Sequence, residues 1–221
     1  MEKKIKDALT RCTLFNGVSE QRLEQLVASA KHKLVRFEKK DIYILAGMPY
    51  RHADIVIEGE LVARMVSLSG KSVEVSRLVE GDLIAPAFIF AKDNLMPVSV
   101  ETEKETTVMR LSKADFAELI DNDPVLRRNF IVTLSNIDVF LTKKMRVLSL
   151  FTVREKVGYF LKEASKKQGS DVVLLDKSRQ EIAESFGIQK FSLLRTMSEL
   201  QDAGAIRVEG KRITILDRGK L

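Results

Sequence analysis

The sequence predicts an α+β chain built from an N-terminal β-roll, one long helix and a C-terminal winged helix-turn-helix. Three observations carry this. Between His32 and Ser112, short strand-like runs are punctuated by Gly47, Gly59, Gly70 and Gly81, spaced 12, 11 and 11 residues apart, the rhythm of an antiparallel sandwich or barrel. From Pro124 to about Leu150 apolar residues recur in steps of 3 and 4, close to the 3.5-residue repeat of a coiled coil. In Ser178–Leu200, SRQEIAESFGIQKFSLLRTMSEL, a capping box opens one short helix, a glycine turns the chain, and a second apolar stripe follows. The expected boundaries are 1–122 for the β-roll domain, 123–150 for the long helix and 151–221 for the winged-helix domain.

Residues 2–11 and 19–31 read as helices, the second capped by Ser19 and buried through Leu23, Leu26, Val27 and Ala30. The strand-like runs are KLVRF, DIYIL, ADIVI, ELVARMV, SVEVSRL and DLIAPAFIF, and VSVETEKETTVMRLS adds two more. Together they predict a β-roll with a ligand-sized interior. Lys113–Ile120 makes a short helix with Phe116 and Leu119 inward, and Pro124 suits the first turn of the long helix. The seam of that helix is Phe130, Leu134, Ile137, Leu141, Met145 and Leu148, and it predicts a parallel dimer. A second stripe, Ile131, Val139 and Phe140, is expected against the chain's own β-roll. Thr152 with Glu155 starts the next helix, Gly169-Ser170-Asp171 turns into the short strand VVLLD, and IRVEGKRITIL is a hairpin turning at Glu209-Gly210.

Composition bounds the function. The chain has 221 residues, 45% apolar and 31% charged, which describes a globular protein with room for two modest cores. No apolar run approaches bilayer length and MEKKIKDALTRC lacks a signal-peptide core, so a cytoplasmic protein with no membrane partner is expected. The net charge of +6 is uneven: residues 151–221 carry 14 Lys+Arg against 10 Asp+Glu, residues 1–150 carry 23 against 21. A basic C-terminal third fits a polyanion. An enzyme is disfavoured, since there is no Gly-rich phosphate loop, no Ser/His/Asp set, and the two histidines are far apart in sequence. The single cysteine, Cys12, sits among Leu9, Leu14 and Phe15 and reads as a small packed hydrophobe.

The helix-turn-helix points to double-stranded DNA, because the second helix of this motif enters the major groove. Opposite its buried Leu193, Met197 and Leu200, that helix is expected to present Gln189, Lys190, Ser192 and Arg195, with Phe191 near the leading end. Arg195 and Lys190 suit guanine, Gln189 suits adenine or phosphate, and Phe191 is placed for a thymine methyl. Ser178, Arg179 and Gln180 are expected at phosphate, and the wing would bring Lys211 and Arg212 to the DNA backbone. Thr196 stands where a larger apolar residue would usually be buried.

LTRCTLFNGVS at the start, IEGEL and VEGDLI in the roll, the long helix, SRQEIAESFGIQ…LLRTMSEL and the GKRITI wing together give a resemblance over essentially the whole chain. The chain resembles the cyclic-AMP-receptor/fumarate-nitrate-reductase (Crp/Fnr) family of bacterial transcription regulators. The resemblance implies a cyclic-nucleotide-binding-like β-roll, a homodimer, a palindromic operator and contact with RNA polymerase. The departures are as informative. Cyclic-nucleotide binders of the family carry Gly-Glu and Arg-Ser pairs in the roll; here Ala85-Pro86 and Met96-Pro97 stand instead. Proline supplies neither a cation nor an N–H to a buried phosphate, which argues against cyclic AMP. One cysteine argues against the family's iron–sulfur cluster. Where family regulators usually read with an Arg-Glu pair, this chain has Lys190-Phe191, so the operator is expected to differ from the common half-site.

The replaced cassette is apolar, and the expected effector pocket is Ala85, Pro86, Phe88, Phe90, Met96 and Pro97. Its APAFIFA…MPV wording resembles the nitrosative-stress branch of the family, regulators of genes such as that of the hybrid cluster protein. Some members of that branch and its neighbours bind haem. Haem would take one axial ligand from His32, His52, Met48, Met65, Met96 or Met145, with Met145 on the dimer seam and seam packing its simpler role. The alternative is a ligand-independent regulator whose roll is only a scaffold.

Overall fold

The computed structural model describes residues 2–66 and 72–221; Gly70, one of the expected turn glycines, lies outside them. In chain order the elements are α1 (Lys3–Arg11), a 3-10 turn (Thr13–Phe15), α2 (Glu20–Ser29), β1 (His32–Phe37), β2 (Ile42–Ile44), β3 (His52–Glu58), β4 (Glu60–Val66), β5 (Ser72–Val79), α3 (Pro86–Ile89), β6 (Ser99–Thr102), β7 (Thr106–Ser112), α4 (Lys113–Asp121), α5 (Pro124–Leu150), α6 (Val153–Gln168), β8 (Val172–Leu174), α7 (Arg179–Ser185), α8 (Lys190–Asp202), β9 (Ile206–Glu209) and β10 (Arg212–Ile215). The chain divides into two compact units, Met1–Asp138 and Val139–Leu221, and the division falls inside α5.

The first unit is a β-roll of two antiparallel sheets, ordered β1-β7-β3 and β2-β6-β4-β5, with residues of both in one apolar core. β3 is buried along five successive residues, Ala53–Ile57, because α1 and α4 pack on the same strand that also faces the roll. Its free edge is closed by the segment after Gly81: Val56 N–H donates to the Asp82 carbonyl and Ile84 N–H to that of Asp54. DLIAPAFIF, expected as a strand, therefore pairs only at its start. Ala85 takes a left-handed conformation (φ 44°, ψ 48°) and Pro86 opens the short helix α3, since proline fits a first helical turn and interrupts a ladder.

Ser19 caps α2 by accepting from Arg22 N–H, as expected. Asp123 accepts from the backbone of Val125 and Leu126 at the start of α5 and also pairs with Arg22, 3.2 Å away. Cys12 is fully buried, and that burial pushes its thiol pKa up to about 11.

Inside the roll lies a buried polar chain that the apolar pattern did not announce. Asp54 (0% exposed) accepts from Arg110 Nε and Nη2 across the β3–β7 pair at 2.6–3.0 Å and from the Tyr43 hydroxyl at 2.7 Å. The Tyr50 hydroxyl donates to the Ile84 carbonyl at 3.0 Å. Burial opposes the Arg110 charge, but the hydrogen bonds and attraction of Asp54 outweigh it and raise the guanidinium pKa. Burial likewise raises both tyrosines, so they stay neutral.

The second unit wraps α6, α7 and α8 on the sheet β8-β10-β9. Its core is Val157 and Leu161 of α6, Ile182 and Ala183 of α7, Leu193, Met197 and Leu200 of α8, and Ile206, Ile213 and Ile215 of the hairpin. The expected capping boxes at Thr152/Glu155 and Ser178/Glu181 are both complete.

Candidate nucleic-acid interface

The turn between α7 and α8 is fixed by local chemistry. Gly187 sits at φ 62°, where a Cβ would be strained. Its N–H donates to the Glu184 carbonyl and that of Ile188 to the Ala183 carbonyl. This is the Schellman closure of a helix end. Ile188, half-buried against the core, then leads directly into α8, whose N-cap is Gln189. Only four residues separate the two helices, so the face of α8 is set by the packing of Leu193, Met197 and Leu200. Thr196 is buried beside them, 3% exposed.

The outward face of α8 differs from the expected one in emphasis. Gln189, Lys190 and Arg195 are exposed as expected, whereas Ser192 is half-buried. Phe191 is the most exposed apolar side chain of this helix at 71%, and Leu194, absent from the expected set, is 42% exposed. Arg195 Nε lies 3.5 Å from Glu199, one turn on.

The expected phosphate group of α7 is engaged within the domain. The Ser178 hydroxyl accepts from Glu181 N–H, while Ser178 N–H donates to the Glu181 carboxylate at 2.8 Å. Those contacts hold the Glu181 pKa below its ordinary value, with Lys177 and Lys211 adding to the effect. Gln180 donates to Glu184 at 2.6 Å. Arg179 donates through Nη2 to the carbonyl of Gly210, the turn of the wing, at 2.7 Å, and burial lowers its pKa. Two residues that sequence reading treats as separate, Arg179 and the wing turn, are thus joined. Long-range pairing of this kind leaves no mark in local sequence. Lys211 and Arg212 are exposed beside that turn.

The pocket expected at the cassette is dispersed. Met96 is buried in the core, 3% exposed, with Ala85 and Phe88 partly buried against that core and Pro86 half-buried. Pro97 is exposed. Phe90 is 40% exposed and turns toward the helices, with its ring 6.0 Å from Phe116 and 5.8 Å from Phe130. Phe130, expected on the dimer seam, is 6% exposed and belongs to this aromatic cluster of its own unit. Leu134 also packs on that core and Ile137 is half-buried. Ile131, expected against the β-roll, is instead 56% exposed. Farther along, Leu141, Met145 and Leu148 are exposed.

The six candidate haem ligands do not form a set. Met48, Met65 and Met145 are exposed and Met96 is sealed in the core. His32 and His52 open strands β1 and β3. His32 Nδ1 is 2.9 Å from the Ala30 carbonyl, and His52 Nδ1 is buried without a hydrogen-bond partner. Among the described residues no group of three His, Cys, Asp or Glu is placed to hold a metal ion, and no helix is long and apolar enough to cross a membrane.

Residues 34–123 match the cyclic nucleotide-binding domain family, and residues 155–221 match the Crp-like helix-turn-helix domain family. The cAMP-activated global transcriptional regulator CRP of Pasteurella multocida is 20% identical over 184 residues, 81% of this chain and 88% of that protein. Among solved structures, a CooA mutant from Carboxydothermus hydrogenoformans gives a TM-score of 0.67 at 18% identity, covering 95% of this chain and 93% of the other. The c-di-GMP-responsive global regulator CLP of Xanthomonas campestris gives 0.62 at 19%, covering 87% and 97%. At such identities the likeness to these two structures concerns the fold.

Proposed function

The chain belongs to the Crp/Fnr family of DNA-binding transcription regulators, a family of regulators and not of enzymes, and we propose that it works as a homodimer on a palindromic operator, laying α8 in the major groove. The observation that carries this is the exposed face of α8, where Lys190, Phe191 and Arg195 stand clear of the core, in a domain whose wing also exposes Lys211 and Arg212. Arg195 and Lys190 would donate to guanine O6 and N7, Gln189 would serve adenine or phosphate, and the wing would follow the DNA backbone. Two copies would read half-sites about 10 base pairs apart or a small multiple of that. Dimerisation would use the exposed apolar part of α5 at Leu141, Met145 and Leu148, and promoter-bound dimers would contact RNA polymerase. The cytoplasm is the compartment this reading implies.

The β-roll in this proposal answers to a small apolar or redox effector that is not cyclic AMP. The support is chemical. Pro86 and Pro97 offer a phosphate no N–H, and the half-buried cation Arg110 is already paired with Asp54 at 2.6 Å.

The test of the DNA reading is footprinting of the full chain at varied salt. Lys190→Ala and Arg195→Ala should each cost about 1–3 kcal/mol at the preferred operator and relax its sequence preference. If both variants bind with unchanged affinity and preference, α8 is not the reading helix.

A further inference from the structure

The reading face of α8 is unusual for a surface that meets a polyanion, because its leading turns put apolar side chains among the cations. Phe191 is 71% exposed and Leu194 42%, on a domain whose other large hydrophobics on α7 and α8 are half-buried or buried. They are three residues apart and so neighbours on one helix face. Lys190 precedes the pair and Arg195 follows it, and both are exposed. The helix has no acidic residue in its first turn; its first carboxylate is Glu199, set beside Arg195 at 3.5 Å. Cytosine N4–H2 in the major groove is read by a carboxylate acceptor, and the leading turns have none. The thymine C5-methyl is read by apolar contact, and here two such groups stand side by side. Three residues rise about 4.5 Å along a helix, near the spacing of about 3.4 Å between successive bases on one strand. The flanking cations make the patch complementary to DNA in charge, which a patch for an apolar protein partner does not need.

From this juxtaposition we infer that Phe191 and Leu194 form an apolar reader of pyrimidine C5-methyl groups, so that each half-site holds thymine, or 5-methylcytosine, at one or two consecutive positions next to the base contacted by Arg195. The inference rests on α8 being the reading helix and adds what that helix selects. It makes the methyl group itself, rather than a Watson–Crick partner, the recognised feature.

The experiment separates the two. The operator is selected from random duplex DNA with the full chain, and each thymine of the half-site is then replaced by uracil, which removes the methyl and preserves pairing. One or two adjacent replacements should weaken binding about fourfold each, the worth of one buried methyl. 5-Methylcytosine should bind better than cytosine at the same position. In Phe191→Ala, whose side chain supports no core, the sensitive replacement nearest the helix start should lose its effect while sequence-specific binding persists; Leu194→Ala should do the same at the neighbouring base. A wild-type protein that selects an operator yet binds every uracil duplex as tightly as thymine overturns the methyl reader and leaves the DNA-binding function standing. A protein that selects no sequence overturns both.

Discussion

At the scale of single residues, the position that changes most between sequence and structure is Arg179. Its place at the start of α7, after a capping serine, suggests a phosphate contact, but its guanidinium is spent on the Gly210 carbonyl of the wing. The two roles differ in measurable ways. A glutamine retains a donor for Gly210 without the charge. If Arg179 anchors the wing, Arg179→Gln should keep the salt dependence of operator binding. Arg179→Ala should then cost no more in combination with Lys211→Ala and Arg212→Ala than those two cost without it, because the wing contacts are lost either way. Additive losses, with a log–log salt slope smaller by about 0.9 in Arg179→Gln, would make Arg179 a phosphate ligand instead. Phe191 shows the opposite case, a residue whose exposure could be read from its neighbours because Leu193, Met197 and Leu200 fix the buried side of the helix.

At the scale of elements, the β3–β7 pair is held by more than its ladder. Asp54 and Arg110 face each other in register, and the pair reaches through Tyr43 to β2. The loop before β3 and the Ile84 turn also meet this group, since Tyr50 bonds to Ile84 and Ile84 N–H to the Asp54 carbonyl. Removing one partner leaves a buried charge without compensation. Asp54→Ala should therefore destabilise the first unit by about 3–5 kcal/mol in urea denaturation followed by tyrosine fluorescence. The double change Asp54→Leu with Arg110→Met, which removes both charges, should recover most of that loss. Equal loss in both variants would show that packing, not charge pairing, holds these strands. The cassette between β5 and β6 gives a second lesson at this scale. DLIAPAFIF has the composition of a strand, and one proline after a left-handed alanine converts its second half into a helix that carries Phe90 to Phe116.

At the scale of the whole molecule, the proposal depends on two copies. α5 leaves Leu141 55%, Met145 63% and Leu148 38% exposed on its C-terminal half, more apolar surface on one helix than a solitary chain ordinarily shows to water. Leu141→Glu together with Met145→Glu should shift the protein from dimer to monomer in sedimentation equilibrium. It should also reduce operator affinity by at least tenfold, as one half-site is then bound without the other. A dimer unaffected by both charges would place the interface elsewhere, the exposed Ile131 and Val132 being the next part of α5 to alter.

What the sequence determined by itself is whatever is local. The capping boxes at Thr152 and Ser178, the glycine turn at Gly187 and the long helix from Pro124 to Leu150 all follow from residues a few positions apart, and all are present. The family followed from the same motifs. Tertiary structure decided which side of an apolar helix faces home. Periodicity locates the stripes of α5, but only the positions of Phe90 and Phe116 show that Phe130 belongs to its own core and Ile131 to the surface. It also decided the partners of the charges. Asp54 with Arg110, and Arg179 with the wing, lie 56 and 31 residues apart in sequence, and hydrogen bonding at that distance is set by how the strands and helices pack.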